Sequence, residues 1–154
     1  MDSDALTVVL VHHADAVGPE VDPQRPLSTR GISQAAWLAN QTKLVGLMPS
    51  VIWHSGKLRA RQTANEFWRV CNPQAEIKML RGLRPEDPPD WARDALEAEH
   101  GIVLLVSHMP LLPALIRRLA PESEGFPLHG LVVLERTGLG RYVEQRRILQ
   151  IIDV

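Results

Sequence analysis

Two histidines and one arginine of this chain stand just beyond short apolar runs, where a chain leaves a strand. His13 follows Leu6 to Val11, in the segment His12-His13-Ala14-Asp15. Arg59 comes one helical turn after His54-Ser55, which closes the run Val51-Ile52-Trp53. His108 follows Ile102 to Val106 and Ser107. A neutral imidazole can attack phosphorus directly and become a covalent intermediate. A guanidinium and a second imidazole would hold the equatorial oxygens as charge spreads in the transition state. A helix opening after Ser55 would add backbone N–H donors, which favour phosphate at a helix N-terminus. These residue types together make an anion site.

They act together only if the elements deliver them to one edge. Leu6 to Val11 and Ile102 to Val106 are continuous apolar runs, as expected for strands buried on both faces of a parallel sheet. Shorter strands are expected at about 50–54 and 75–80. Ser28 is a good N-cap for a helix over about 29–47, and Ser55 for one over about 57–70. Further helices are expected at 89–99, closed by Gly101, and at about 110–120, with Pro110 in the first turn. Strands at about 130–136 and 141–152, joined by Thr137-Gly138-Leu139-Gly140, read as an antiparallel hairpin. The alternation predicts an α/β fold: a three-layer α/β/α sandwich, mostly parallel, with an antiparallel C-terminal edge hairpin. Ligands of such sheets bind outside the carboxyl ends of the strands. His13, Arg59 and His108 all fall there.

Four segments resemble the motifs of one family, in its order. They are Val11-His12-His13-Ala14, Arg25-Pro26-Leu27-Ser28-Thr29-Arg30-Gly31 with Gln34-Ala35 following, Ser55-Gly56-Lys57-Leu58-Arg59-Ala60-Arg61-Gln62-Thr63, and Ser107-His108-Met109-Pro110. The chain resembles the histidine phosphatase superfamily (phosphoglycerate-mutase-like), and within it the small SixA-like phosphohistidine phosphatases. The resemblance implies that His13 is the phosphorylated nucleophile. It implies that Arg59 clamps phosphate and that His108 is the second pocket histidine. The family's ester hydrolases carry a general acid in the loop after the third strand, where Glu86 and Asp87 are the candidates. Arg25 and His129 are candidates for the pocket rim, and Ser55 for phosphate binding.

Position 12 departs from the family, whose first motif opens with an arginine. Arginine is always charged and offers a five-donor fork, whereas histidine offers two donors at most. A phosphate dianion would raise the pKa of His12, so a cation on the acid side of neutrality is expected there. The resulting expectation is a slower enzyme, more active at lower pH, or a phospho-ligand-binding module with little turnover.

Simpler roles compete for several residues. Ser107 reads as a strand-end hydrogen-bonder, because no Gly-x-Ser-x-Gly elbow surrounds it. Asp15 reads as a cap of the loop after the first strand, and His54 as packing or surface. Trp37, Trp53, Trp68 and Trp91 read as packing. A zinc site built on His12, His13, His108 and His129 is disfavoured, since neighbours in extended chain point to opposite faces.

Composition narrows the class. The chain has 154 residues, a net charge of −1 and one cysteine, Cys71. That length fits a single domain, residues 1–154. Near-neutral charge opposes nucleic-acid binding, which needs a basic excess. A lone cysteine requires no oxidising compartment. The acidic start Met1-Asp2-Ser3-Asp4 is unlike a signal peptide, and no stretch reaches the ~20 apolar residues of a membrane span. The expectation is a cytoplasmic, metal-independent, cofactor-free monomer. It would take phosphate from phosphohistidine in a protein, or else act as a small-molecule phosphomonoesterase of loose specificity.

Overall fold

The computed structural model describes residues 5–153; the acidic tetrapeptide 1–4 and residue 154 lie outside them. In chain order the elements are β1 (Leu6–His12), α1 (Thr29–Leu44), β2 (Val51–His54), α2 (Leu58–Cys71), β3 (Glu76–Met79), α3 (Pro89–Glu97), β4 (Gly101–Ser107), α4 (Leu111–Leu119), β5 (Leu131–Gly138) and β6 (Arg141–Ile148). They form a six-stranded sheet in the order β3-β2-β4-β1-β5-β6. The pairs β1–β4, β2–β4 and β2–β3 are parallel, while β1–β5 and β5–β6 are antiparallel. This is the expected α/β sandwich with its antiparallel C-terminal strands.

Strand periodicity explains the layers. Successive side chains of a strand point to opposite faces. Val8 and Leu10 of β1, with Val103 and Leu105 of β4, pack under α3 and α4 through Ala92, Leu96, Leu112 and Leu115. Val9, Val11, Leu104 and Val106 face the other way, against Leu38 and Ala39 of α1 and Ala60, Ala64 and Phe67 of α2. Burying a large apolar side chain such as Phe67 contributes about 1.5–3 kcal/mol. The continuous apolar runs of β1 and β4 thus follow from their central places, covered on both faces.

Helix boundaries mostly follow local chemistry. Ser28 is the N-cap of α1, and its hydroxyl accepts the Gly31 N–H at 3.0 Å. Three expectations need correction. Helix α1 stops at Leu44, because Gly46 turns the chain at φ 83°. Lys57, not Ser55, sits at the N-cap of α2, and it makes no side-chain cap. The last strand ends at Ile148, and residues 149–153 turn back toward α1, where Gln150 Nε2 donates to Gln34 O at 3.2 Å. Among the described residues no helix is long and apolar enough to cross a membrane.

Candidate active site

The strand ends converge as the topology requires. His12 closes β1 opposite Ser107 of β4. The peptide after it is held from both sides: His12 N–H donates to Gly130 O at 3.0 Å, and His13 N–H to Ser107 O at 3.1 Å. Four imidazoles then meet. The ring centroids of His12 and His13 lie 4.5 Å apart, those of His13 and His108 4.9 Å, and those of His12 and His129 4.8 Å in a near-parallel stack.

The tautomer of His13 follows from one contact. Its Nδ1 donates to the carbonyl of Ala14 at 2.7 Å. The proton is therefore on Nδ1, and Nε2 carries the free lone pair. Burial lowers the His13 pKa to about 4; the Ala14 carbonyl opposes the shift, and Arg59, His129 and Arg25 reinforce it. At neutral pH the ring is a neutral nucleophile. Ala14 is fixed in turn, since its N–H donates to Thr63 Oγ1 at 3.1 Å and Thr63 donates to Arg59 O at 2.8 Å.

His108 is 1% exposed, and its Nε2 lies 2.7 Å from Ser55 Oγ. That hydroxyl also accepts the Lys57 N–H at 3.2 Å, so Ser55 ties the start of α2 to the pocket histidine instead of capping the helix. His108 Nδ1 is buried without a partner among the described residues. Burial, then His13, Arg59, Lys57 and Arg25, depress its pKa to about 3.

Among the described residues neither Arg59 nor Arg25 forms an ion pair with a carboxylate. Arg59 Nε is buried without a hydrogen-bond partner among the described residues. Burial and repulsion from Arg25 lower the Arg59 pKa. Arg25 donates its Nε to Val17 O at 2.9 Å, and it acts on His13, His108 and Arg59. Uncompensated positive charge around buried imidazoles is the electrostatics of an anion site.

His12 is 4% exposed, and its Nδ1 accepts the backbone N–H of His129 at 2.8 Å. Burial, then His13, His129, His108 and Arg59, push its pKa down to about 2. This environment keeps His12 uncharged in the free site, so the expected cation would have to be created by the charge of a bound phosphate dianion. In the free site His12 is a neutral imidazole with its proton on Nε2, because Nδ1 is already an acceptor.

The remaining candidates divide. His129 joins the cluster: its Nδ1 donates to His13 O at 2.8 Å. Asp15 accepts from Ser28 Oγ at 2.6 Å and pairs with Arg30 at 3.1 Å, which makes it the loop fastener anticipated; it also lies 3.9 Å from His129 Nε2. Burial works to raise the Asp15 pKa, but Ser28 and Arg30 outweigh it and leave the pKa lowered. Ser107 Oγ donates to Leu83 O at 2.7 Å, a strand-end hydrogen-bonder as read. His54 Nδ1 accepts the Gly56 N–H at 3.0 Å and stays out of the cluster. Glu86 is exposed, and Asp87 accepts the Arg84 N–H at 2.9 Å. Neither carboxylate is hydrogen-bonded or ion-paired to the histidines. Among the described residues no group of three or more His, Cys, Asp or Glu is placed to hold a metal ion.

Several positioning residues were quoted in the motifs without a role. Thr63 is 1% exposed and Gln34 is 0% exposed, although both are polar. Gln34 Oε1 accepts the Asp15 N–H at 2.9 Å, and Gln62 Oε1 accepts the Leu27 N–H at 2.7 Å. A polar residue on the inward face of a helix was the available signal. A cleft of about 1460 Å³ lies elsewhere, lined by Glu97, Ala120, Leu139 and Arg147 among others. It lies at the C-terminal ends of α3 and α4 beside the turn between β5 and β6, at the edge where the parallel strands begin, and the histidines lie at the opposite edge.

Comparison with known proteins decides the family. The family model described as "Histidine phosphatase superfamily (branch 1)" matches residues 8–93. The chain belongs to that superfamily. It is 30% identical over 121 residues to phosphohistidine phosphatase SixA of Escherichia coli strain K12, covering 75% of each chain. Its fold superposes on a structure of the protein histidine phosphatase SixA complexed with tungstate, with a TM-score of 0.85, 25% identity and coverage of 93% of this chain and 96% of that one. A putative phosphohistidine phosphatase SixA from Agrobacterium tumefaciens shares the fold, with a TM-score of 0.77, 23% identity and coverage of 92% and 96%. The likenesses place the chain in the SixA-like branch and support a phosphohydrolase of this superfamily.

Proposed function

We propose that this protein is a phosphohistidine phosphatase acting through a covalent intermediate on His13. The observation that carries the reading is the His13–Ala14 contact, which leaves Nε2 as a free lone pair in a pocket where Arg59 Nε has no partner among the described residues. In the first step Nε2 attacks phosphorus. Its N–P bond forms as the bond between phosphorus and the leaving imidazole breaks, and the leaving nitrogen takes up a proton. In the second step water attacks the phosphoryl group, inorganic phosphate departs, and His13 regains its lone pair. Arg59 and His108 hold the equatorial oxygens, and the Arg25 charge draws the anion in.

The substrate assignment leans on two relatives, one named phosphohistidine phosphatase and the other protein histidine phosphatase. A protein-borne imidazole phosphate also has a nitrogen leaving group, which places less demand on a dedicated acid such as Glu86 or Asp87. The reaction as written uses no metal and no cofactor. The test is phosphate release from a phosphohistidine protein without added metal, with acid-labile labelling of the chain. Wild type should turn over and carry label, and His13→Ala should do neither. Hydrolysis of simple phosphomonoesters with no action on phosphohistidine would shift the assignment to a small-molecule phosphomonoesterase.

One observation favours a second reading. His12 supplies at most one neutral donor where its relatives' first motif has an arginine, and loss of a transition-state donor typically costs about 10²–10³ in rate. Phosphate binding without labelling of His13 would identify a phospho-ligand-binding module on this fold.

A further inference from the structure

His129 combines a strained backbone with two donors aimed at the site. Its φ is 53°, a left-handed conformation that costs a non-glycine residue about 1–2 kcal/mol. In that conformation the backbone N–H donates to His12 Nδ1 at 2.8 Å, and the ring Nδ1 donates to the carbonyl of His13 at 2.8 Å. The ring also stacks on His12 with 6° between planes. The residue is itself secured, since Gln150 Nε2 donates to its carbonyl at 3.1 Å. A residue filling space would need only the stack. The strained φ is what brings the backbone donor to His12, and strain of this kind persists only where surrounding structure imposes it.

The bond to Nδ1 has a chemical consequence. An imidazole that accepts at Nδ1 while neutral must carry its proton on Nε2. His12 Nε2 has no hydrogen-bond partner among the described residues, so its N–H is free for a ligand. We propose that His129 is a positioning residue: it fixes His12 as a neutral imidazole whose Nε2–H is offered to a phosphoryl oxygen, and it anchors the carbonyl of the nucleophile His13. The inference rests on the reading of this site as a phosphoryl-binding centre.

The test separates backbone from side chain at position 129. Glycine takes a positive φ freely, so His129→Gly keeps the backbone donor and loses only the ring. Asparagine tolerates the same region and offers an amide donor to His13 O. Valine, β-branched, is excluded from it. Nitrogen-15 spectra of the histidines would report the His12 tautomer in the free protein, and titration with tungstate would report oxyanion affinity. Wild type, His129→Gly and His129→Asn should show the Nε2–H tautomer of His12. His129→Gly should lose about 5-fold in kcat, the worth of one neutral hydrogen bond. His129→Asn should recover most of that loss. His129→Val should lose the tautomer, with about 10²-fold weaker tungstate binding and kcat, the scale of a lost oxyanion donor.

Retention of the tautomer in His129→Val overturns the proposal, and so does either wild-type kcat or loss of the tautomer in His129→Gly; the glycine variant decides if the valine variant does not fold. The two readings fail differently. Absent phosphohistidine turnover, with tautomer and tungstate affinity following the predicted order, refutes the phosphatase assignment and supports the role of His129. Normal turnover and labelling of His13, with His129→Val unaffected, does the reverse.

Discussion

Replacing Thr63 by valine exchanges one hydroxyl for a methyl at nearly constant volume. It removes the bond that Ala14 N–H donates to α2 at 3.1 Å, together with the one that the hydroxyl donates within α2 to Arg59 O at 2.8 Å. Ala14 is 3% exposed, so its N–H would be left buried without a partner. An unsatisfied buried donor costs about 1–3 kcal/mol. For a chain of this size about 2 kcal/mol corresponds to a fall of about 4–8 °C in Tm. The catalytic loss should exceed the stability loss. The same residue, Ala14, carries the carbonyl that holds the His13 Nδ1 proton, and a displacement of about 1 Å in a reacting group can cost about 10²-fold in rate. Thr63→Ser keeps the hydroxyl and separates this effect from packing. Thermal unfolding and phosphohistidine turnover of wild type, Thr63→Val and Thr63→Ser would be compared, the rates well below each Tm. A valine variant with wild-type Tm and kcat would refute the argument, as would a serine variant impaired as strongly as the valine one.

Acid should destabilise the protein ahead of any carboxylate effect. His12, His13 and His108 are held neutral, with folded pKa values lowered to about 2, 4 and 3. Below the unfolded value of about 6.5 the unfolded chain binds more protons than the folded one, so stability is full above that pH and falls as pH drops toward 4. Tm measured from pH 8 to 4.5 should decline on the acid side and should decline less in His108→Gln; a flat profile would contradict the buried neutral cluster. Over pH 5.5–8 kcat/KM, which reports groups of the free enzyme, should stay nearly level, because His13 is a free base and His12 is uncharged in the free site; a kcat/KM that climbs steeply toward acid would contradict this. Gly31→Ala should disrupt the same loop from the other side: a Cβ there would come within 1.9 Å of Asp15 O, a backbone atom that cannot swing away. The expected cost is about 1–3 kcal/mol in urea unfolding, with loss of turnover; an alanine variant as stable and active as wild type would show that the Asp15 loop does not need its present path.

How far the sequence reaches can be followed residue by residue. The buried runs of β1 and β4, the Ser28 cap and the positions of His13, Arg59 and His108 at strand ends were legible because each rests on local chemistry: apolar continuity, a short polar side chain before a helix, the ends of strands in an alternating fold. The motifs extended that reading to the family. What escaped was long-range. Thr63 stood in a motif without a role of its own, yet its hydroxyl serves a peptide 49 positions away. Ser55 looked like a helix cap, and its Oγ lies against His108 instead.

His12 shows the boundary between the two levels. Its replacement of an arginine is visible in the letters, and they suggest a weaker, acid-dependent cation. Its actual state depends on groups far along the chain: burial under the sheet edge, the neighbouring imidazoles, and the backbone N–H of His129, 117 residues later. Local pattern determines which elements form and which residue types reach the strand ends, because capping and periodicity act over a few residues. Only the packed structure decides protonation, tautomer and the direction of each donor, because desolvation and hydrogen bonding depend on neighbours that the chain brings together in folding.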